Sequence, residues 1–191
     1  MNTIETAKNL VDTCRQFGFR IVTAESCTGG LVASTISSVP GASSVLWGGV
    51  VVYDRAAKVA LLGLPERWVR GAKVYSAKVA SDMAYAAHNL PKLDYGQSHK
   101  LIALGITGVA GPGPDCGVPA GTVELAVVHT GVDEGKGWRE GWTVLRKHIE
   151  LPNKTRDEVR EAVVMAGLEF LCQTAVRLRA IEAANELALA V

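Results

Sequence analysis

The sequence predicts a three-layer α/β/α fold with a mixed sheet, and three features carry that expectation. Short β-branched or apolar segments alternate with helical patterns over the first hundred residues, as in strands joined by crossover helices. Between Thr107 and Ala120 a loop carrying Gly108, Gly111, Gly113 and Gly117 with Pro112, Pro114 and Pro119 leaves no room for a crossover helix, so the next strand must return antiparallel. One long helical pattern then closes the sequence.

Element by element, Ile4, Ala7, Leu10, Val11 and Cys14 fall at helical spacing within Thr3 to Phe17, and Gly18 supplies a stop. Arg20 to Ala24 reads as a strand, the turn Glu25-Ser26-Cys27-Thr28-Gly29-Gly30 follows, and Leu31 to Ile36 continues as a helix until Pro40-Gly41. Val45 to Tyr53 is a second apolar run, and Asp54 is placed to cap a helix reaching about Leu62. Ser76 is placed to cap the next, which runs to Leu90 with Val79, Met83, Ala86 and Ala87 on one face; Pro91 to Lys100 reads as a polar surface connection. Leu101 to Ile106 is the next buried strand and Val123 to His129 its antiparallel partner. Thr130 to Gly141 reads as a Gly-rich connection into an alternating edge strand, Trp142 to Ile149. The last helix is expected from about Thr155 to Leu187.

With 191 residues, 48% of them hydrophobic, one domain over 1–191 with a substantial core is expected. Twenty Lys and Arg against nineteen Asp and Glu leave a formal charge of +1, which supplies no field for collecting nucleic acid or an anionic membrane, so neither is an expected partner. No apolar run reaches the roughly 18 to 20 residues of a membrane span, and Met1 to Arg20 mixes charges into a helical pattern unlike a signal peptide, so a cytoplasmic location is expected. Cys14, Cys27, Cys116 and Cys172 lack C-x-x-C spacing and suit reduced thiols better than a disulfide frame or a zinc site. The four histidines are isolated, and no metal is expected.

Three polar or Gly-rich clusters follow apolar strands: 25–30, 53–58 and 105–113. In an open α/β sheet the strand C-termini form the ligand crevice, so the three converge if the first three strands are parallel neighbours. Ser26 stands where unpaired amides of the following helix would stabilise an oxyanion, with Gly29 and Gly30 keeping the approach open; the plainer alternative is a serine cap on a tight turn. Cys27 is a rival nucleophile, but a small buried thiol suits it better. Tyr53 and Lys58 meet if Tyr53 ends its strand and Lys58 sits in the first turn of the next helix. A lysine in a partly dry site loses its proton more readily and acts as base toward a serine hydroxyl without any histidine. An exposed lysine beside a strand-end tyrosine is the alternative. The loop Thr107 to Gly113 offers backbone amides to a phosphate or sugar but lacks the P-loop lysine and the dinucleotide fingerprint, which also weighs against a Tyr/Lys oxidoreductase. Arg156 and Arg160, four apart at the start of the last helix, place one guanidinium within reach of a phosphate in the crevice, with a solvated helix face as the default alternative.

Taken together, Ala24-Glu-Ser-Cys-Thr-Gly-Gly30, Gly48-Gly-Val-Val-Val-Tyr53 with Lys58, Gly105-Ile-Thr-Gly-Val-Ala-Gly-Pro112 and Pro119-Ala-Gly-Thr-Val123 resemble the C-terminal domain of the CinA family over nearly the whole chain. The resemblance implies nicotinamide-nucleotide amidase activity without cofactor or metal: nicotinamide mononucleotide and water give nicotinate mononucleotide and ammonia in pyridine nucleotide salvage. It implies an anticodon-binding-domain-like fold with a five-stranded mixed sheet of order 2-1-3-4-5, strand 4 antiparallel. It makes Ser26 the nucleophile, Lys58 its base and Tyr53 the hydroxyl partner, and it places Thr107 and the glycines around it, Gly108 among them, at the substrate; Thr28, Gly29, Gly30 and Arg156 join them as candidate substrate-binding residues. The chain departs from the family pattern at Asp54 and Arg55, where Ser-Asn is usual, at Lys154-Thr155 before Arg156, and in the loop at Pro114 and Val118. These changes leave open a nucleotide-binding protein that keeps the pocket without turnover. The chain resembles the stand-alone form rather than members with an added N-terminal domain. Val159, Ala162, Val163, Ala166, Leu168, Phe170, Leu171, Ala175 and Leu178 cover more than one stripe of the last helix, so a homo-oligomer is expected.

Overall fold

The structure, a computed structural model, describes residues 2–91, 100–133 and 137–190. Ten helices and strands follow one another: α1 (Thr3–Phe17), β1 (Phe19–Glu25), α2 (Leu31–Ser37), β2 (Leu46–Val51), α3 (Arg55–Leu62), α4 (Ala77–His88), β3 (Lys100–Gly108), β4 (Thr122–Asp133), β5 (Gly137–Glu150) and α5 (Arg156–Leu189). Short 3₁₀ turns at Ala42–Ser44, Glu66–Trp68 and Gly71–Tyr75 join some of them.

The capping chemistry explains where the helices start. Asn2 and Glu5 form a reciprocal capping box on α1, and Thr155 and Glu158 form another on α5. Asp54 accepts from the Ala56 amide at 2.7 Å and Ser76 from the Val79 amide at 3.3 Å, so α3 and α4 begin at the expected residues. Gly18 ends α1 in the left-handed region, φ 74°, which an L side chain rarely occupies.

The sheet runs β2-β1-β3-β4-β5, with β1 parallel to both β2 and β3 and with β3–β4 and β4–β5 antiparallel. This is the expected order, and β4 is the first strand to turn back. Alternating side chains of β3 feed opposite cores. Ile102, Leu104 and Ile106 pack with Leu10, Val11, Ile36, Val163 and Leu171 beneath α1, α2 and α5. Leu101 and Ala103 pack with Val79, Met83 and Ala84 beneath α4. Gly105 permits that second layer to close, because a Cβ there would lie 2.2 Å from the Ala80 carbonyl oxygen and 2.6 Å from the Ala84 amide.

One connection differs from expectation. Within the segment 130–141 the described residues are strand rather than loop: β4 continues to Asp133, β5 begins at Gly137, and the two pair Thr130 with Trp142 and Val132 with Trp138 across a register shift, while 134–136 lie outside the described residues. Backbone hydrogen bonding carries the β4–β5 pairing beyond the alternating side-chain pattern, and the irregularity lets the two strands change register there. Most of the connection expected over Pro91 to Lys100 lies outside the described residues. Among the described residues no helix is long and apolar enough to cross a membrane.

Candidate active site

At the C-terminal edge of the parallel strands, Glu25 pairs with Val51 on one side and Ile106 on the other, so the residues after β1, β2 and β3 are brought to one place. A cleft of about 380 Å³ opens there, walled by Ser26, Tyr53, Lys58, Tyr75, the segment Gly108–Asp115 and Arg156.

Ser26 continues directly from β1, and its amide donates to the Ile106 carbonyl at 3.1 Å, which fixes its backbone against β3. Lys58 lies one turn into α3 and points back into the sheet edge, where it is only 2% exposed. Its Nζ lies 2.8 Å from Ser26 Oγ, 2.7 Å from the Val52 carbonyl oxygen and 3.3 Å from that of Tyr53. None of the three is a carboxylate. Asp54 is occupied at the α3 cap, and Glu25 accepts from Thr23 Oγ1 and from the Val32 and Ala33 amides. Burial therefore dominates and brings the Lys58 ammonium down to about 8 from the ordinary 10.5, against weaker opposing contributions from Cys27 and Asp54 and with a small further lowering from Arg55.

The same Glu25 contacts correct one expectation. The Val32 and Ala33 amides at the start of α2 are satisfied by its carboxylate at 3.1 and 2.9 Å and do not face an oxyanion. Burial pushes the Cys27 thiol up to about 11, so it is not a thiolate near neutrality, and Ser26 is the better placed nucleophile.

Tyr53 reaches this centre through its carbonyl, whereas its ring is 56% exposed and its hydroxyl accepts from Arg156 Nη2. Arg156 Nη1 donates to the Gly111 carbonyl, so the first turn of α5 ties the loop after β3 to the end of β2. Gly108 also lines the cleft. Four other positions expected at the substrate do not line its wall. Thr107 is fully buried and donates its hydroxyl to the Val74 carbonyl at 2.8 Å. Gly30 caps α2 beside Val51, and Gly29 lies beside Arg160. Thr28 is buried with its hydroxyl unpartnered among the described residues, and its carbonyl accepts from Arg160 Nη2 at 3.3 Å. Arg160 thus supports the Ser26 turn from behind while Arg156 lines the cleft.

Tyr75 and Asp115 were not singled out in the sequence. The Tyr75 hydroxyl donates to the Asp115 carboxylate, and Arg55 Nη2 lies 3.5 Å from the same carboxylate and 3.1 Å from Cys116 Sγ, with its guanidinium 6.0 Å from the Tyr75 ring centre. The Tyr75 bond, foremost, holds the Asp115 carboxyl below its usual range. The only advance signal was Arg55 itself, a departure in the residue pattern before Lys58. Among the described residues no group of three or more His, Cys, Asp or Glu is assembled as a metal site.

The model of the CinA C-terminal domain matches residues 3–175. The chain belongs to this family. A CinA-like protein of Geobacter sulfurreducens is 38% identical over 171 residues, covering 89% of this chain and 36% of the relative, and one of Anaeromyxobacter sp. is 42% identical over 155 residues, covering 81% and 33%. The chain thus spans about a third of the length of these curated CinA relatives. Among solved structures, the competence/damage inducible protein CihA from Agrobacterium tumefaciens superposes with a TM-score of 0.71 at 32% identity, covering 88% of this chain and 93% of that one. A CinA superfamily protein from Klebsiella pneumoniae gives 0.74 at 25% identity, covering 93% and 99%.

Proposed function

We propose that this CinA-family chain is an amidohydrolase that deamidates nicotinamide mononucleotide through Ser26, with Lys58 as base. The observation that carries the reading is the 2.8 Å approach of a buried, carboxylate-free lysine to a buried serine hydroxyl at the floor of a cleft. In its neutral form the amine has two N–H groups and one lone pair. The Val52 and Tyr53 carbonyls accept the two N–H groups, which leaves the lone pair to receive the Ser26 proton. With a pKa of about 8, roughly a tenth of the lysine is neutral at pH 7, against well under a thousandth at the ordinary value.

Ser26 Oγ bonds to the amide carbon as its proton passes to Lys58. The tetrahedral oxyanion collapses, the C–N bond breaks, and the Lys58 ammonium returns the proton to the departing nitrogen as ammonia. Water, deprotonated by Lys58, then cleaves the acyl-serine ester, releasing the carboxylate and restoring the Ser26 hydroxyl. No backbone carbonyl accepts from the Cys27 amide among the described residues and Cys27 lines the cleft, which makes this turn amide the candidate to meet the oxyanion in place of those of α2. Arg156 holds the tyrosine hydroxyl and the Gly111 carbonyl, shaping the substrate wall.

Two of the altered residues keep the scaffold of the centre in place. Asp54 and Thr155 each act as the N-cap of the helix they precede, so α3 and α5 still present Lys58 and Arg156 to the cleft. The test is ammonia release from nicotinamide mononucleotide by chelator-treated protein and by Ser26→Ala. Turnover that disappears in a folded Ser26→Ala protein supports the reading. Retained turnover removes Ser26 from the mechanism, and calorimetric binding without any ammonia from the parent favours the binding protein.

A further inference from the structure

We propose that Arg55 is a specificity-determining residue that recognises the phosphate of a nucleotide substrate at the mouth of the cleft; this rests on the amidase reading of the same site. Arg55 and Lys58 stand three residues apart on α3, a spacing that places them on neighbouring positions of one helix face. A substrate whose amide carbon meets Ser26 beside Lys58 can therefore extend along that face toward Arg55 and the rim. In a mononucleotide the group carried away from the base, beyond the ribose, is the phosphate.

The arginine is held ready for such a contact. Tyr75 lies against the guanidinium, Asp115 and Cys116 fix one end of it, and Tyr75 in turn fixes Asp115. The contacts of Arg55 to Asp115 and Cys116 leave from Nη2 and the Tyr75 hydroxyl takes a further N–H, which leaves two of the five guanidinium N–H groups to grip a tetrahedral anion. Arg156, the other arginine of the cleft, has Nη1 on the Gly111 carbonyl and Nη2 on the Tyr53 hydroxyl.

The surrounding charges fit this division. Arg55, Lys58 and Arg156 line the cleft together with Asp54 and Asp115. Asp54 is turned to the α3 cap, and Asp115 meets Arg55 through a loose contact at 3.5 Å. With Lys58 protonated the lining carries three positive and two negative side chains, which offers no attraction to a cationic pyridinium nucleoside, while a phosphate can compete for the arginine. That difference discriminates between two ligands alike in every other group.

The experiment compares nicotinamide mononucleotide with nicotinamide riboside, which lacks only the phosphate, on the parent, Arg55→Ala and Arg55→Lys. The quantity read is the ratio of kcat/KM for the two compounds, alongside the ratio of their calorimetric Kd values. Arg55→Ala is expected to lower both ratios at least tenfold, mainly through KM for the mononucleotide, and Arg55→Lys to restore part of the loss. Any effect of Arg55 on the Lys58 proton acts on both compounds and cancels in the ratio. Ratios that stay at the parent value, or two compounds weakened by the same factor, overturn the proposal and leave Arg55 a rim tie between α3 and the loop. A parent that hydrolyses neither compound yet binds the mononucleotide preferentially through Arg55 sinks the amidase reading and supports the phosphate contact. A parent that turns over with discrimination intact in Arg55→Ala does the reverse, and binding of neither compound overturns both.

Discussion

Replacing Lys58 with methionine separates the role of the lysine in catalysis from its effect on stability. In the parent the ammonium is buried and its pKa is near 8 rather than 10.5, so between those values the unfolded chain binds more protons than the folded one and stability rises with pH. Below pH 8 the parent carries the full burden of the buried charge. Integrating the proton binding from pH 7 to pH 10 gives a gain of about 2.5 kcal/mol for the parent that Lys58→Met cannot show. The substitution also leaves the Ser26 hydroxyl and the Val52 carbonyl without their partner, at a cost of about 1 to 3 kcal/mol at every pH. The variant is therefore expected to match or slightly exceed the parent at pH 7, to fall below it at pH 10, and to release no ammonia at either. Urea unfolding of both proteins at the two pH values measures the difference, in which titrations common to both cancel. A stability difference that stays constant from pH 7 to pH 10 would refute the claim that Lys58 is a buried base with a depressed pKa.

Two further outcomes concern the scaffold. Glu25→Gln keeps the shape of a side chain that is 1% exposed but replaces the carboxylate that accepts from the Val32 and Ala33 amides; a loss of about 2 kcal/mol in urea unfolding is expected, and an unchanged midpoint and slope would contradict it. We also propose self-association: with Val176 of α5 52% exposed and Ile4 of α1 58% exposed, light scattering at micromolar concentration is expected to give a mass above that of one 20.2 kDa chain, and a single-chain mass would count against it.

Two helix starts were legible because capping is local chemistry: Asp54 and Ser76 each announce a helix to the residues just after them, while the start of α5 near Thr155 was legible from its helical pattern. The reversal at β4 was legible for a different reason, since a Gly- and Pro-rich loop cannot hold a crossover helix. The β4–β5 extension was hidden because Gly131, Gly135, Gly137 and Gly141 read as a turn, while ladder bonding depends on the partner strand rather than on either sequence alone. In the cleft, Ser26 and Lys58 could be found because Ser26 lies immediately beyond β1 and Lys58 one turn into the helix that follows β2, another strand of the parallel set. Tyr75 and Asp115 could not, because they meet only when a 3₁₀ turn before α4 and a loop after β3 are folded onto α3. The glycines of the Ser26 turn carry a signal of local geometry that a sequence alone does not separate from one of substrate contact. Gly30 serves the geometry of the turn that presents the serine, and the cleft wall is supplied mainly from across by 108–115.

The central claim is that Lys58 takes the Ser26 proton, and the pH dependence of kcat/KM for ammonia release from nicotinamide mononucleotide tests it most directly. Cys27 is pushed up to about 11, well clear of the range in which Lys58 changes charge. From pH 6.5 upward, kcat/KM is expected to rise about tenfold per pH unit, bend near 8 and level off as Lys58 loses its proton. A profile that is flat from pH 6.5 to 9, or that falls through pH 8, would contradict the account.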